Sequence, residues 1–254
     1  MGEGSDVRSV RVIEVKQSVF AHNDREADAL RRELQAKGTF LLNLMSSPGS
    51  GKTTTLDRTI EALSGALSMG VMEADIDSDV DARAMAAAGV PAVQLHTGGM
   101  CHLDAAMCRQ GLAELEEAAA AAGAAPLDLA ILENVGNLVC PAEFDTGASV
   151  NVAILSVPEG DDKPLKYPLM FEVCDLVLVN KVDVAPYFDF SLERCEENVR
   201  LRNPKARVLP ISAKTGEGVD AWAAWLAEAV SAWKAGSFAK EAPANSAAAH
   251  YPAE

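Results

Sequence analysis

Positive charge is scarce in this chain of 254 residues: 22 lysines and arginines stand against 37 acidic residues, for a net charge of −15. Such an acidic surface repels nucleic-acid phosphates and excludes a sequence-independent grip on DNA or RNA; a basic partner or a free cation suits it better. Long apolar runs are also missing. None approaches the roughly 18 residues of a membrane span. The first residues, with Glu3, Asp6 and no apolar stretch, do not have the form of a secretory signal. The expectation is a cytoplasmic protein with no membrane partner. Cysteines are few and odd in number: Cys101, Cys108, Cys140, Cys174 and Cys195 are widely spaced in a chain too long to need stapling. Reduced thiols are expected. What is abundant is apolar residue, 49% of the chain, enough for one sizeable α/β core.

Three segments follow from the pattern. Residues 1–38 hold a short alternating run at 10–15 and then a helix expected over 24–37, with Asn23 as its N-cap and Gly38 as its stop. Residues 39–234 alternate continuous apolar runs (40–45, 70–75, 92–96, 127–133, 150–157, 175–180, 207–211) with helical stretches that include 53–64, 103–122 and 219–233. Continuous apolar strands belong to a parallel sheet covered on both faces, so the expected fold is a doubly wound, mostly parallel α/β domain. In the last helix Trp222, Trp225, Leu226, Ala229 and Trp233 form one stripe, read as core packing. Residues 235–254 lack periodicity and read as a disordered tail.

Directly after the first strand stands Ser46-Ser47-Pro48-Gly49-Ser50-Gly51-Lys52-Thr53, a Walker A loop with serine in place of its first glycine. Gly49, Ser50 and Gly51 let the backbone turn its N–H groups onto phosphates, Lys52 supplies charge, and Thr53, followed by Thr54, offers a hydroxyl to Mg²⁺. A second motif, Asn180-Lys181-Val182-Asp183, ends an apolar strand and reads as the guanine-specific N-K-x-D. Asp183 would accept from guanine N1–H and the 2-amino group, and adenine would leave that carboxylate unpaired. Ser212-Ala213-Lys214, after the next strand, fits the loop whose N–H meets guanine O6. Together these motifs predict GTP and GDP as ligands, with Mg²⁺, in a GTPase; N-K-x-D argues against a small-molecule kinase.

The third strand end is Glu133-Asn134-Val135-Gly136-Asn137-Leu138-Val139-Cys140-Pro141. With residues 46–54 (SSPGSGKTT), 101–105 (CHLDA), 159–168 (EGDDKPLKYP) and 180–187 (NKVDVAPY), it makes the chain resemble the HypB family of hydrogenase nickel-incorporation GTPases over nearly the whole domain, from about residue 10 to 233. The resemblance implies GTP hydrolysis, a GTP-dependent homodimer and a thiolate-bound nickel or zinc site. It also implies two partners, a small nickel-carrying accessory protein like HypA and the hydrogenase large-subunit precursor. It implies as well that Cys101, His102 and Cys140 bind the metal. Such a site needs a fourth donor, from water, a partner or His96. Some members store nickel on a Cys- or His-rich N-terminus; here residues 1–39 hold no cysteine and only His22. The rival urease-type GTPase carries Cys-Pro-His, whereas Ala142 follows Cys140-Pro141 here; a metal-storage protein with a structural nucleotide is the other rival.

Lys52, Asp75 and Glu133 are the candidates for hydrolysis. Asp75 would orient a Mg²⁺-bound or attacking water, and Glu133 would reach Mg²⁺ through water. Asp75, Asp77, Asp79 and Asp81 imitate a calcium loop, but Val80 and Ala86 occupy its glycine and glutamate positions, so the reading fails and Asp79 or Asp81 is expected to cap the next helix. Lys163 and Lys166 either meet the nucleotide or the opposite subunit, or lie in a solvated loop. Cys108, Cys174 and Cys195 are expected to be inert small hydrophobes.

Overall fold

The computed structural model describes residues 15–75 and 90–240. Seven strands form one sheet in the order β3-β2-β4-β1-β5-β6-β7, every pair parallel. They are β1 (Phe40–Ser46), β2 (Met69–Asp75), β3 (Ala92–His96), β4 (Leu129–Glu133), β5 (Val150–Ser156), β6 (Leu176–Asn180) and β7 (Arg207–Pro210). The long helices are α1 (Val15–Lys37), α2 (Lys52–Leu63), α3 (Ala105–Ala121), α4 (Leu192–Arg202) and α5 (Val219–Lys234). This is the doubly wound parallel architecture expected from the runs of apolar residues. The central strands are mostly apolar because both faces are covered: in β6, Leu176 and Leu178 join one core, Val177 and Val179 the other.

Side-chain caps start two of the helices. Asp104 caps α3 by accepting the Met107 N–H (2.8 Å), and Ser191 caps α4 through the Arg194 N–H (3.2 Å). In α5 the expected stripe is buried at Trp222, Leu226, Ala229 and Trp233, with Trp225 partly covered. Trp222 Nε1–H donates to Thr59 Oγ1 of α2 at 2.8 Å, so the buried indole has its partner. Among the described residues no helix is long and apolar enough to cross a membrane.

The first helix departs from expectation. It already runs at Val15, so Asn23 is an interior residue of α1 and caps nothing; its side chain is spent on tertiary contacts described below. Leu30 and Leu34 of α1 lie in the main core, and Arg109 of α3 pairs with Glu33, so this segment packs onto the same sheet as the rest. At the other end, Phe238 packs edge-on against Phe40 (5.3 Å between centroids, 90°) and Trp233, which gives residues 237–240 an anchor in the stretch expected to be tail. The alternating run at 10–15, apart from Val15, and Asp77, Asp79 and Asp81 lie outside the described residues.

Candidate functional site

All seven strands are parallel, so their C-terminal ends gather at one rim, where open α/β sheets bind ligands. There the turn from β1 to α2 opens a cleft of 530 Å³ lined by residues 46–49 and 51–54, with Glu73, Ala74, Glu133, Val135 and Gly136 opposite. Gly51 has φ +93°, and a Cβ there would stand 2.4 Å from Asn180 Nδ2, so glycine is required on two counts. Ser46, the departure from the motif, is fully buried and donates its hydroxyl to the Ser47 carbonyl, which leaves the loop's turn intact. Lys52 Nζ donates to the Asn134 carbonyl (2.6 Å) and stands 3.5 Å from Glu133, while Thr53 Oγ1 donates to Glu133 Oε1 at 3.1 Å. A hydroxyl and a carboxylate so placed make the hard oxygen donor set that Mg²⁺ takes. Asp75 closes β2 opposite His96 of β3.

The residues expected to read the base meet at the ends of β6 and β7. Asn180 Nδ2–H donates to the Ser50 carbonyl (2.9 Å) and its Oδ1 accepts the Ala213 N–H (3.0 Å), so one amide ties the phosphate loop to the loop after β7. Lys181, at φ +64°, donates to the Gly49 carbonyl at 2.6 Å. Asp183 accepts from Ser212 Oγ at 2.7 Å, which fixes its carboxylate. Lys214 follows Ala213 on the same loop, exposed.

Beyond Glu133 the chain runs to the thiols. Gly136 faces Pro48, and a Cβ there would come within 3.3 Å of its ring. Asn137 Oδ1 accepts the N–H groups of Val139 (2.7 Å) and Cys140 (3.2 Å), opening the helical turn Cys140–Glu143. Cys101 is the neighbour that acts on Cys140: burial first, then that thiol, pushes the Cys140 thiol up to about 11. His102, six residues after the exposed strand end at His96, turns its ring onto Phe144 instead, stacked at 3.9 Å and 8°. Burial lowers its pKa, although Asp104 and Glu143 oppose the shift. The structure thus brings two of the three expected ligands together, and among the described residues no three His, Cys, Asp or Glu side chains form a ready metal site. Cys108, Cys174 and Cys195 are buried, with thiols pushed up by desolvation, as expected of inert residues.

Two acids at the cleft escaped the sequence reading. Glu73 is buried and lines the phosphate cleft; its signal is an acid near the end of an otherwise apolar strand, in register with Glu133. Glu159 accepts from Ser47 Oγ of the phosphate loop and from Ser156 N–H (2.8 Å) and Oγ (2.8 Å), with Lys163 3.5 Å away. Lys163 also lies over the Tyr167 ring (5.0 Å), and Lys166 pairs with Asp162 at 2.6 Å.

A glycine-turned loop between a central strand and its helix, braced by an asparagine from a distant strand end, defines a P-loop nucleotide-binding protein. Residues 40–210 match the family described as CobW/HypB/UreG, nucleotide-binding domain. Hydrogenase maturation factor HypB of Azotobacter vinelandii is 48% identical over 216 residues, covering 85% of this chain and 69% of the relative. Its namesake in Escherichia coli K12 is 46% identical over 219 residues, covering 85% and 72%. The crystal structure of HypB from Helicobacter pylori in complex with nickel superposes with a TM-score of 0.78 at 35% identity, over 87% of this chain and all of that one. The chain belongs to the HypB family.

Proposed function

We propose that this protein is a GTP-hydrolysing nickel metallochaperone that couples nucleotide state to nickel held at Cys101 and Cys140, with His102 joining when metal binds, for delivery to a [NiFe]-hydrogenase precursor. The observation that carries the reading is the short covalent path from the cleft to the thiols: Glu133 accepts from Thr53, Gly136 lines the cleft with Pro48, and Asn137 holds the Cys140 N–H. A γ-phosphate that repositions Gly136 must therefore act on a soft metal ligand only four residues further on. Two thiols are half of a tetrahedral or planar site, and a second copy of the chain would complete it. Apolar surface beside each thiol, Met100 at 45% and Val139 at 49% exposure, supports cover by that copy. Lys52, Asp75 and Glu133 would serve hydrolysis; Gly49–Thr54, Asn180, Lys181, Asp183 and residues 212–214 would bind GTP or GDP with Mg²⁺ on Thr53. Zinc fits the same donors. A HypA-like accessory protein would load the site, in the cytoplasm.

The test combines GTP turnover with nickel stoichiometry. Wild-type protein is expected to release phosphate from GTP and to bind nickel stoichiometrically, Cys140→Ala to lose the nickel, and Cys174→Ala to keep it. Equal nickel loss in both variants would overturn the site; nickel binding without turnover would leave a storage protein.

A further inference from the structure

We infer that Asn23 of α1 is a positioning residue for the thiol site, fixing the segment that carries Cys101 and His102 against the turn that carries Cys140. The inference rests on the reading of that pair as a metal site. Asn23 sits inside a helix, where its side chain has no capping duty, yet it is only 6% exposed. Its Nδ2–H donates to the Asp145 carbonyl at 2.9 Å, and its Oδ1 accepts the Ala105 N–H at 2.9 Å. Ala105 is the first residue of α3, three past His102; Asp145 lies five past Cys140. One planar amide thus links the two segments. Only a side chain with donor and acceptor on the same head can do this: leucine of equal size does neither, and aspartate keeps only the acceptor. Both bonds are buried, so losing either leaves a desolvated backbone group unpaired.

Independent contacts point the same way. Phe20, one helical turn before Asn23, packs on Phe144 at 4.9 Å, and Phe144 carries the stacked His102 ring. Arg31, two turns after Asn23, holds both Asp145 carboxylate oxygens (2.8 and 2.9 Å) and the Ala148 carbonyl (3.1 Å). One face of α1 therefore immobilises the chain just after the Cys140 turn, while Asn137 grips the same turn from the nucleotide side. Cys140 is suspended between a fixed post and a movable one. Without the fixed post, a shift of Gly136 would carry the whole turn along and leave the distance to Cys101 undetermined.

The experiment uses Asn23→Leu and Asn23→Asp in the full chain, with two probes. Phenylarsine oxide captures paired thiols: two As–S bonds form, the arsenic-bound oxygen leaves with both thiol protons as water, and no oxidation state changes. Cys101→Ala supplies the single-thiol baseline. Nickel(II) alone is then titrated into the GDP-loaded proteins. Both Asn23 variants are expected to slow arsenical capture and to weaken nickel roughly 10- to 100-fold, the range for residues that orient metal ligands. GTP affinity and turnover should stay at the wild-type level, which a general loss of structure would not permit. Asn23→Asp, close in shape, is the variant read if Asn23→Leu does not fold. Wild-type arsenical capture and nickel affinity in a folded variant would overturn the inference. Wild-type protein that captures the arsenical yet ignores nickel would overturn the nickel reading while leaving the role of Asn23 standing.

Discussion

The carboxylate of Asp183, held by Ser212 at 2.7 Å, is set before any base arrives, and a preset acceptor pair penalises the wrong partner most. Asp183→Asn should lower GTP affinity at least about 100-fold and improve xanthosine triphosphate binding, because the carboxamide offers a donor to the 2-oxo group. Unchanged GTP affinity in equilibrium titration would refute the assignment. A second expectation concerns sulfur. Cys101 and Cys140 are partly exposed whereas Cys108, Cys174 and Cys195 are buried, so iodoacetamide should label only the first two in the native protein and all five after unfolding, as read by peptide mass. Residues of this kind were legible in the sequence because their motifs have fixed spacing and local context. Asn23 and Glu159 were not. The first looks like a helix cap by local rules, which tertiary packing overrides, and the second acts on Ser47 across 112 residues of chain.

Among the elements, the strands were the most legible, since a sheet covered on both faces demands unbroken apolar runs. Helix α4 was not singled out: only Cys195 and Val199 of it are buried, too thin a stripe to stand out. The seam between α5 and the start of β4 offers an acid-sensitive joint. Burial alone would raise the Asp128 pKa, but the hydrogen bond from Lys234, the Ser68 N–H (2.9 Å) and the ammonium charge outweigh it and hold the carboxyl below its usual range. A depressed folded pKa stabilises above the unfolded value of about 3.9 and loses that effect as pH falls through the folded value. The pair is partly exposed, so its contribution is about 1 kcal/mol or less. Asp128→Asn should therefore lower Tm by about 2–4 °C at most at pH 7, and the difference from wild type should shrink progressively as melts are taken below about pH 3.9. A difference that persists undiminished there would contradict the argument.

At the scale of the molecule, the proposed nucleotide and metal sites share one rim of the sheet, and the proposed coupling between them is reciprocal. If nickel binds the GDP form more tightly than the GTP form by some factor, nickel must favour GDP over GTP by the same factor. A coupling of about 1–3 kcal/mol corresponds to roughly 5- to 150-fold, enough to turn retention into release. Nickel titrations of protein loaded with GDP or a non-hydrolysable GTP analogue, with mass measured in parallel, should show unequal affinities and a dimer favoured by the analogue. Equal affinity and a monomer in both states would dissolve the coupling.

The brace of the phosphate loop also has a consequence for the order in which the protein is made. Ser50 and Gly49 rest on Asn180 and Lys181, which emerge 130 and 132 residues later, and Asn180 in turn waits for Ala213. Helix α5, whose Trp222 meets Thr59 of α2, comes later still. A nascent chain thus displays its Walker sequence long before that loop has its brace, which is complete only once translation has passed the last strand. On the proposed function, nucleotide binding would therefore mark a chain whose synthesis is complete.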